Sequence, residues 1–215
     1  MLHTTTDQQW WSLPLWTVAP TAADWQALHV AIATPTAFLW LPRSVADSLG
    51  FAYPATWQWL HAPSRAEPSP LPFETAYPIA NEALAIGRLA HDTQAASLVG
   101  AEGLLGHSLD ATLDLFAGRW GSLLDACGCL AELEGQLLGA AVVTLGGPTP
   151  LLPLLAARNR IVAYELVLTV LDALHDYGYP GVDLLLRPDT PFISIAEMAG
   201  FAQREEMVYV QPLGT

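Results

Sequence analysis

Between residues 162 and 174 the chain carries its most constraining pattern. Val162, Ala163, Leu166, Val167, Val170, Leu171 and Leu174 recur at i, i+3/i+4 spacing, which gives a helix one apolar face. Gly178 and Pro180 stop that helix. Such a face has to be buried against a second layer. Short apolar runs flank it. Residues 149–156 precede it and residues 182–186 follow it, and both read as strands. Pro153 interrupts the first run. Proline is unwelcome in a paired central strand, so a bulge or a splayed pair is expected there.

The remaining segments extend this order. Residues 73–78 read as a short strand. Residues 81–98 read as a helix with Leu84, Ile86, Leu89 and Ala90 among its apolar positions. Ser108 is a good N-cap for a second helix ending near Phe116. Residues 129–134 and 136–145 form a hairpin turning at Glu134–Gly135. Residues 191–199 read as a short helix ended by Gly200, and residues 201–210 as a last strand. The whole is α/β in class, an α+β arrangement with a mixed sheet.

Before this region the composition changes. Residues 62–72, APSRAEPSPLP, hold four prolines, which resist helix and central strand alike. Seven of the eight tryptophans lie before that segment, and only Trp120 lies after it. A module boundary is expected near residue 70, giving modules 1–70 and 71–215.

Charge narrows the partners. The net charge is −13, and all eight basic residues are arginine. Such a surface repels nucleic acid and anionic membranes, so neither is an expected partner. It attracts amines and basic peptides, or it serves solubility alone. The strongest apolar stretch, residues 161–171, is broken by Glu165 and is too short to span a bilayer. Residues 1–10 lack the basic and apolar regions of a signal peptide. Cys127 and Cys129 stand two apart on an expected strand, a poor geometry for a disulfide. A cytoplasmic location is expected. Six scattered histidines and a lone CGC give no metal-ligand spacing, and no metal is expected.

Three stretches carry a family resemblance. ELEGQLLGAAVV resembles the second and third strands of the GNAT superfamily of acyl-CoA N-acyltransferases. ARNRIVAYELVLTVLDALHDYGYPGVDLLL resembles that family's fourth-strand exit, coenzyme helix and fifth strand. RPDTPFISIAEMAGFAQREEMVYV resembles its following short helix, Gly-Phe stop and last strand. The resemblance runs from residue 73 to the end of the chain and implies a GNAT-like fold.

It also implies acetyl-CoA as cosubstrate and a primary amine of a small molecule or peptide as acceptor. The family's pyrophosphate pattern is Arg or Gln, two residues, Gly, one residue, then Gly or Ala. It falls on Arg158, Asn159, Arg160, Ile161, Val162 and Ala163, with Ile161 in place of the usual glycine. A helix start binds anions through its free N–H groups and partial positive charge. Two solvated arginines at a helix start are the plainer reading. Leu154 and Leu155 would offer backbone to the pantetheine arm.

No catalytic residue is assigned. The family's tyrosine proton donor falls on Ala196, which has nothing to donate. Tyr164 either points to the site or packs in the core, and Ser194 reads as a helix-surface residue. Glu132 and Glu134 share a strand face and are candidates for a base or a cation site, or are solvated charges. The resemblance therefore leaves a second expectation, a weakened GNAT-like module that binds coenzyme A or a protein partner.

Residues 37–63 echo the end of the chain. Both run apolar strand, proline, short helix, Gly-Phe and strand, with Gly50–Phe51 answering Gly200–Phe201. With a helix expected at residues 21–33, this is either half a GNAT domain or coincidence. Trp40, Trp57 and Trp59 are expected to be covered, by the main domain or by a second copy in a homodimer.

Overall fold

A computed structural model describes residues 10–12, 38–48, 50–53, 56–66, 74–76, 82–93, 112–113, 115–118, 121–146 and 148–210. Strands β1 (Trp10–Ser12) and β2 (Phe38–Pro42) come first, then helix α1 (Arg43–Ser48) and strand β3 (Thr56–Pro63). Next are β4 (Glu74–Ala76), α2 (Ala83–Asp92), β5 (Ser122–Leu123) and a 3-10 turn (Asp125–Cys127). β6 (Cys129–Leu133), β7 (Gln136–Leu145) and β8 (Leu151–Ala157) precede α3 (Arg160–Asp176). β9 (Gly181–Leu186), α4 (Phe192–Met198) and β10 (Ala202–Val210) complete the order.

The chain divides into two compact units, residues 58–204 and residues 1–57 with 205–215. The division falls elsewhere than the boundary expected near residue 70, and β3 is the reason. Its residues from Gln58 to Pro63 pair antiparallel with β9, from Leu186 back to Gly181. Ala62 and Pro63, read as linker, are the last residues of that strand. Proline is tolerated there because the ladder is ending.

In the larger unit the strands run β3-β9-β8-β7-β6-β4, with β5 on β7. Only β8 and β9 are parallel; the other neighbours are antiparallel. This is the mixed sheet expected from the segment order. One sheet face packs on α3 and α4 through Leu60, Val143, Leu152, Leu155, Val182 and Leu184. The other packs on α2 through Ile86, Leu89, Leu130, Val142 and Leu154. Gly139 sets how closely α3 approaches. A Cβ there would lie 2.5 Å from Val162 Cγ1 and 2.7 Å from Leu166 Cδ1.

The β6–β7 hairpin turns at Glu134 and Gly135, whose φ values of 52° and 76° are what a two-residue turn with the right twist requires. α3 begins on an N-cap, Asn159, whose side chain accepts from the Val162 N–H at 3.0 Å. It ends with Gly178 N–H on His175 O and Tyr179 N–H on Leu174 O, so the left-handed glycine closes the last turn.

In the smaller unit β1 pairs parallel with β2, and β2 pairs antiparallel with residues 207–210 of β10. α1 closes as α4 does. Phe51 N–H meets Ala46 O at 3.0 Å, and Phe201 N–H meets Ala196 O at 2.9 Å. The sequence echo is thus an echo in hydrogen bonding. The helix expected at residues 21–33 and the Ser108 cap lie outside the described residues. Trp57 and Trp59 are buried.

Both cysteines are free and buried. Cys127 sits in the 3-10 turn rather than on the expected strand. Burial pushes the Cys129 thiol up to about 12, so it stays protonated and unreactive.

Candidate functional site

The site is built around the end of β8. Val142 pairs with Leu154 and Thr144 with Leu151, so β8 carries one more residue than β7 over that step. The extra residue is a bulge at Leu152–Pro153, which is why Leu152 and Leu155 face the same layer under α3. Pairing of β8 with β9 is confined to Leu151↔Asp183 and Leu152↔Leu184. The splay expected from Pro153 therefore begins at the bulge. Beyond it Leu154 packs under α2, Leu155 packs under α3, and both side chains are buried.

β8 then delivers the chain to the start of α3. Arg158 N–H bonds Leu138 O at 2.9 Å, and its Nε donates to Leu137 O at 3.3 Å. That side chain is partly committed to β7. Arg158, Asn159, Arg160 and Ile161 are exposed, whereas Val162 and Ala163 are buried. The Asn159 side chain takes the Val162 N–H, and Asn159 O takes that of Ala163. Among the described residues the N–H groups of Arg160 and Ile161 have no acceptor, as the first turn of a helix leaves them. Ile161 is 64% exposed, so its bulk points into solvent rather than across those donors. Two free donors, two guanidinium groups and a helix N-terminus together suit a diphosphate.

The other candidates fare differently. Glu134 lies in the hairpin turn, so it does not share a strand face with Glu132 as expected. Tyr164 is half-buried against the core under α3. Ser194 is exposed, and its hydroxyl donates to Pro191 O at 3.0 Å, which fits its reading as a helix-surface residue. Ala196 is buried at 1% exposure, the same position in α4 that Ala46 holds in α1. No group of three or more metal-ligating side chains occurs among the described residues.

The structure adds a group that the sequence reading passed over. Asp183, on β9, is 1% exposed. Its Oδ1 lies 2.8 Å from His61 Nδ1 on β3 and 3.7 Å from Arg204 Nη1. Arg204 also stands over the Trp59 ring, 5.9 Å from its centroid. Asp183 Oδ2 is buried without a hydrogen-bond partner. Burial raises this carboxyl above its ordinary value, while His61, Arg204 and the Trp59 N–H act in the opposite direction. That N–H nevertheless leaves Oδ2 unpaired. The available signal was one acid inside an otherwise apolar strand, GVDLLL.

Known proteins add the following. Neither a protein-family model nor a curated protein matches the sequence. Solved structures do match. A GCN5-related N-acetyltransferase from Kribbella flavida superposes with a TM-score of 0.60 at 13% identity, over 96% of this chain and 82% of that one. One from Sphaerobacter thermophilus gives 0.55 at 13% identity, over 86% of this chain and 62% of that one. The present chain thus spans under two thirds of the Sphaerobacter chain. A putative GNAT-family acetyltransferase from Novosphingobium aromaticivorans gives 0.54 at 17% identity, over 80% and 72%. Such likenesses speak to fold. The chain has the fold of the GNAT N-acetyltransferases.

Proposed function

We infer that this chain is an acyl-CoA-dependent N-acyltransferase that moves an acetyl group from acetyl-CoA to a primary amine of a small molecule or peptide. The observation that carries this reading is the end of β8–β9 pairing at Leu152↔Leu184, where β8 bulges before leading to a doubly basic helix start. Arg158, Arg160 and the first N–H groups of α3 hold the diphosphate. Asn159 positions that turn by capping it. The backbone at Leu154 and Leu155 runs beside the pantetheine arm. The bound coenzyme supplies the thioester, and the protein orients it and keeps water from it.

The −13 charge suits a cationic acceptor and opposes nucleic acid and anionic membranes. Two free cysteines fit a reducing, cytoplasmic setting. Among the described residues no helix is long and apolar enough to cross a membrane. A second reading, a coenzyme-binding module without turnover, is favoured by Ala196, which puts a buried methyl where the family's proton donor falls.

Calorimetric titration of acetyl-CoA into the full chain tests both readings. Saturable one-to-one binding with thiol release on adding amines is the expected result. Binding without release selects the second reading, and no binding overturns both.

A further inference from the structure

Among the described residues, two buried side-chain oxygens lack a hydrogen-bond partner, Thr144 Oγ1 and Asp183 Oδ2. The sheet register relates them. Thr144 pairs with Leu151, Leu151 with Asp183, and Asp183 with His61. Residues paired in register share a face. Leu152, Leu184, Leu60 and Ala62, one step along, pack under α3. The row Thr144, Leu151, Asp183, His61 therefore lies on the opposite face. It crosses four strands at one level, one residue before β8 and β9 part.

His61 is held in place by a charged partner. Its Nδ1 meets Asp183 Oδ1 at 2.8 Å, and its side chain is 23% exposed. Gly181 clears room for the ring, because a Cβ there would stand 2.9 Å from His61 Cε1 and 3.1 Å from Nε2. An ionised Asp183 carboxylate only accepts, which would make Nδ1 the donor of the pair and leave Nε2 outside it. The fold does not demand this pair. In the smaller unit Trp40 pairs with Tyr209 as Leu185 pairs with Trp59 in the larger. Carried two residues along, that register puts Phe38 where Asp183 stands. The same strand framework is thus built with an apolar residue at this position.

We propose that this row is the acceptor site of the acyltransferase, that His61 is its base, and that Asp183 positions His61. The inference rests on the acyltransferase reading above. The acceptor is a primary amine entering beside His61 on the face opposite α3, with Asp183 Oδ2 taking a hydrogen bond from one of its N–H groups once it is seated. His61 Nε2 takes one proton from the ammonium. The amine nitrogen then bonds to the thioester carbon and the carbon–sulfur bond breaks. The leaving thiolate takes the second proton lost by nitrogen, and the first passes from His61 to solvent. The charged group facing His61 is Asp183 on β9, and Arg204 on β10 stands 3.7 Å from the same carboxylate oxygen.

The test uses the full chain. Coenzyme A is titrated into wild type, His61→Gln and Asp183→Asn, with equal affinity expected in all three. Failure of the wild type to bind would overturn the acyltransferase reading, and this inference with it. Thiol release from acetyl-CoA is then followed with spermidine, tyramine and a tripeptide with a free amino terminus. His61→Gln should lower kcat about 10²–10⁴-fold at unchanged KM for acetyl-CoA, the scale of a positioned base. It should also abolish the limb of the pH profile that rises with loss of the base's proton. Asp183→Asn should lower kcat and displace that limb. Coenzyme affinity reports whether each variant is folded. Wild-type rates and pH profiles in both variants, or no transfer to any of the three amines by coenzyme-bound wild type, would overturn the proposal.

Discussion

Two segments of this chain are built alike and used differently. β2-α1-β3 and β9-α4-β10 each run strand, short helix, left-handed glycine, phenylalanine and strand. The helices close with the same pair of hydrogen bonds, at Gly50–Phe51 and at Gly200–Phe201. Each segment also sends its last strand to the other unit. β3 pairs with β9 in the larger unit, and residues 207–210 of β10 pair with β2 in the smaller. The difference lies in what the strands carry. β9 and β3 bring Asp183 to His61, and the corresponding position on β2 is Phe38. A shared framework that folds with and without a buried carboxylate separates architecture from chemistry. Helix closure and strand exchange serve the first, and the proposal above assigns the Asp183 pair to the second.

The largest effect expected from breaking this arrangement is that of deletion. A chain starting at residue 72 lacks β3, and with it six ladder pairs on β9 and the buried Trp59, Leu60 and Ala62. It should lose cooperative thermal unfolding and aggregate by size-exclusion chromatography. Unfolding at the wild-type temperature as a monomer would show that the two segments are independent.

Next comes charge at the helix starts. Replacing both Arg158 and Arg160 by Ala should weaken acetyl-CoA binding by about 1–3 kcal/mol, the scale of charge-assisted hydrogen bonds. Arg43→Ala, at the start of α1, should leave it unchanged, because Arg43 is paired to Glu206 at 2.7 Å in the smaller unit. Equal losses in the two variants would remove the distinction drawn between the helices.

The two helix alanines supply a matched comparison. Ala46 and Ala196 are exposed by 0% and 1%. Tyrosine at either position should overpack and cost about 1–3 kcal/mol in urea unfolding. Ala196→Tyr should for that reason fail to restore a proton donor to the site. A stable Ala196→Tyr protein with faster thiol release would reverse this conclusion.

The smallest effects belong to the glycines. Gly50 and Gly200 have φ values of 70° and 84°, so alanine should cost about 1–2 kcal/mol at each. Gly200→Ala should cost slightly more. Its Cβ would stand 2.4 Å from Arg65 Nη1, whereas nothing lies within 4 Å at Gly50. Arg65 is flexible at its tip, which keeps the excess small. A larger loss at Gly50, read from thermal melts, would contradict the shared closure.

Much of this was legible in the residues. Apolar spacing placed α3, the Glu134–Gly135 turn placed the hairpin, and Pro153 placed the bulge. Arg158 to Ile161 stood out because cations are scarce in this chain, and they are exposed at the start of α3. Val162 and Ala163, in the same motif, turned out buried. β1 and β5, of three and two residues, are too short to show a period. The spacing of Glu132 and Glu134 puts them on one strand face, and the turn that holds Glu134 at positive φ separates them.

What the sequence determined by itself is whatever depends on neighbours a few residues apart. Helix faces, glycine stops, the hairpin and the basic helix start are of that kind, because capping, turn geometry and side-chain periodicity act locally. Only the tertiary structure decided that β3 belongs with β9, that Leu151 and Leu152 of β8 pair with Asp183 and Leu184 of β9, and that Asp183 meets His61. Those three facts join residues far apart along the chain. Strand pairing is set by backbone hydrogen bonds that every residue but proline offers equally, so nothing in the side chains of residues 56–63 names β9 as their partner.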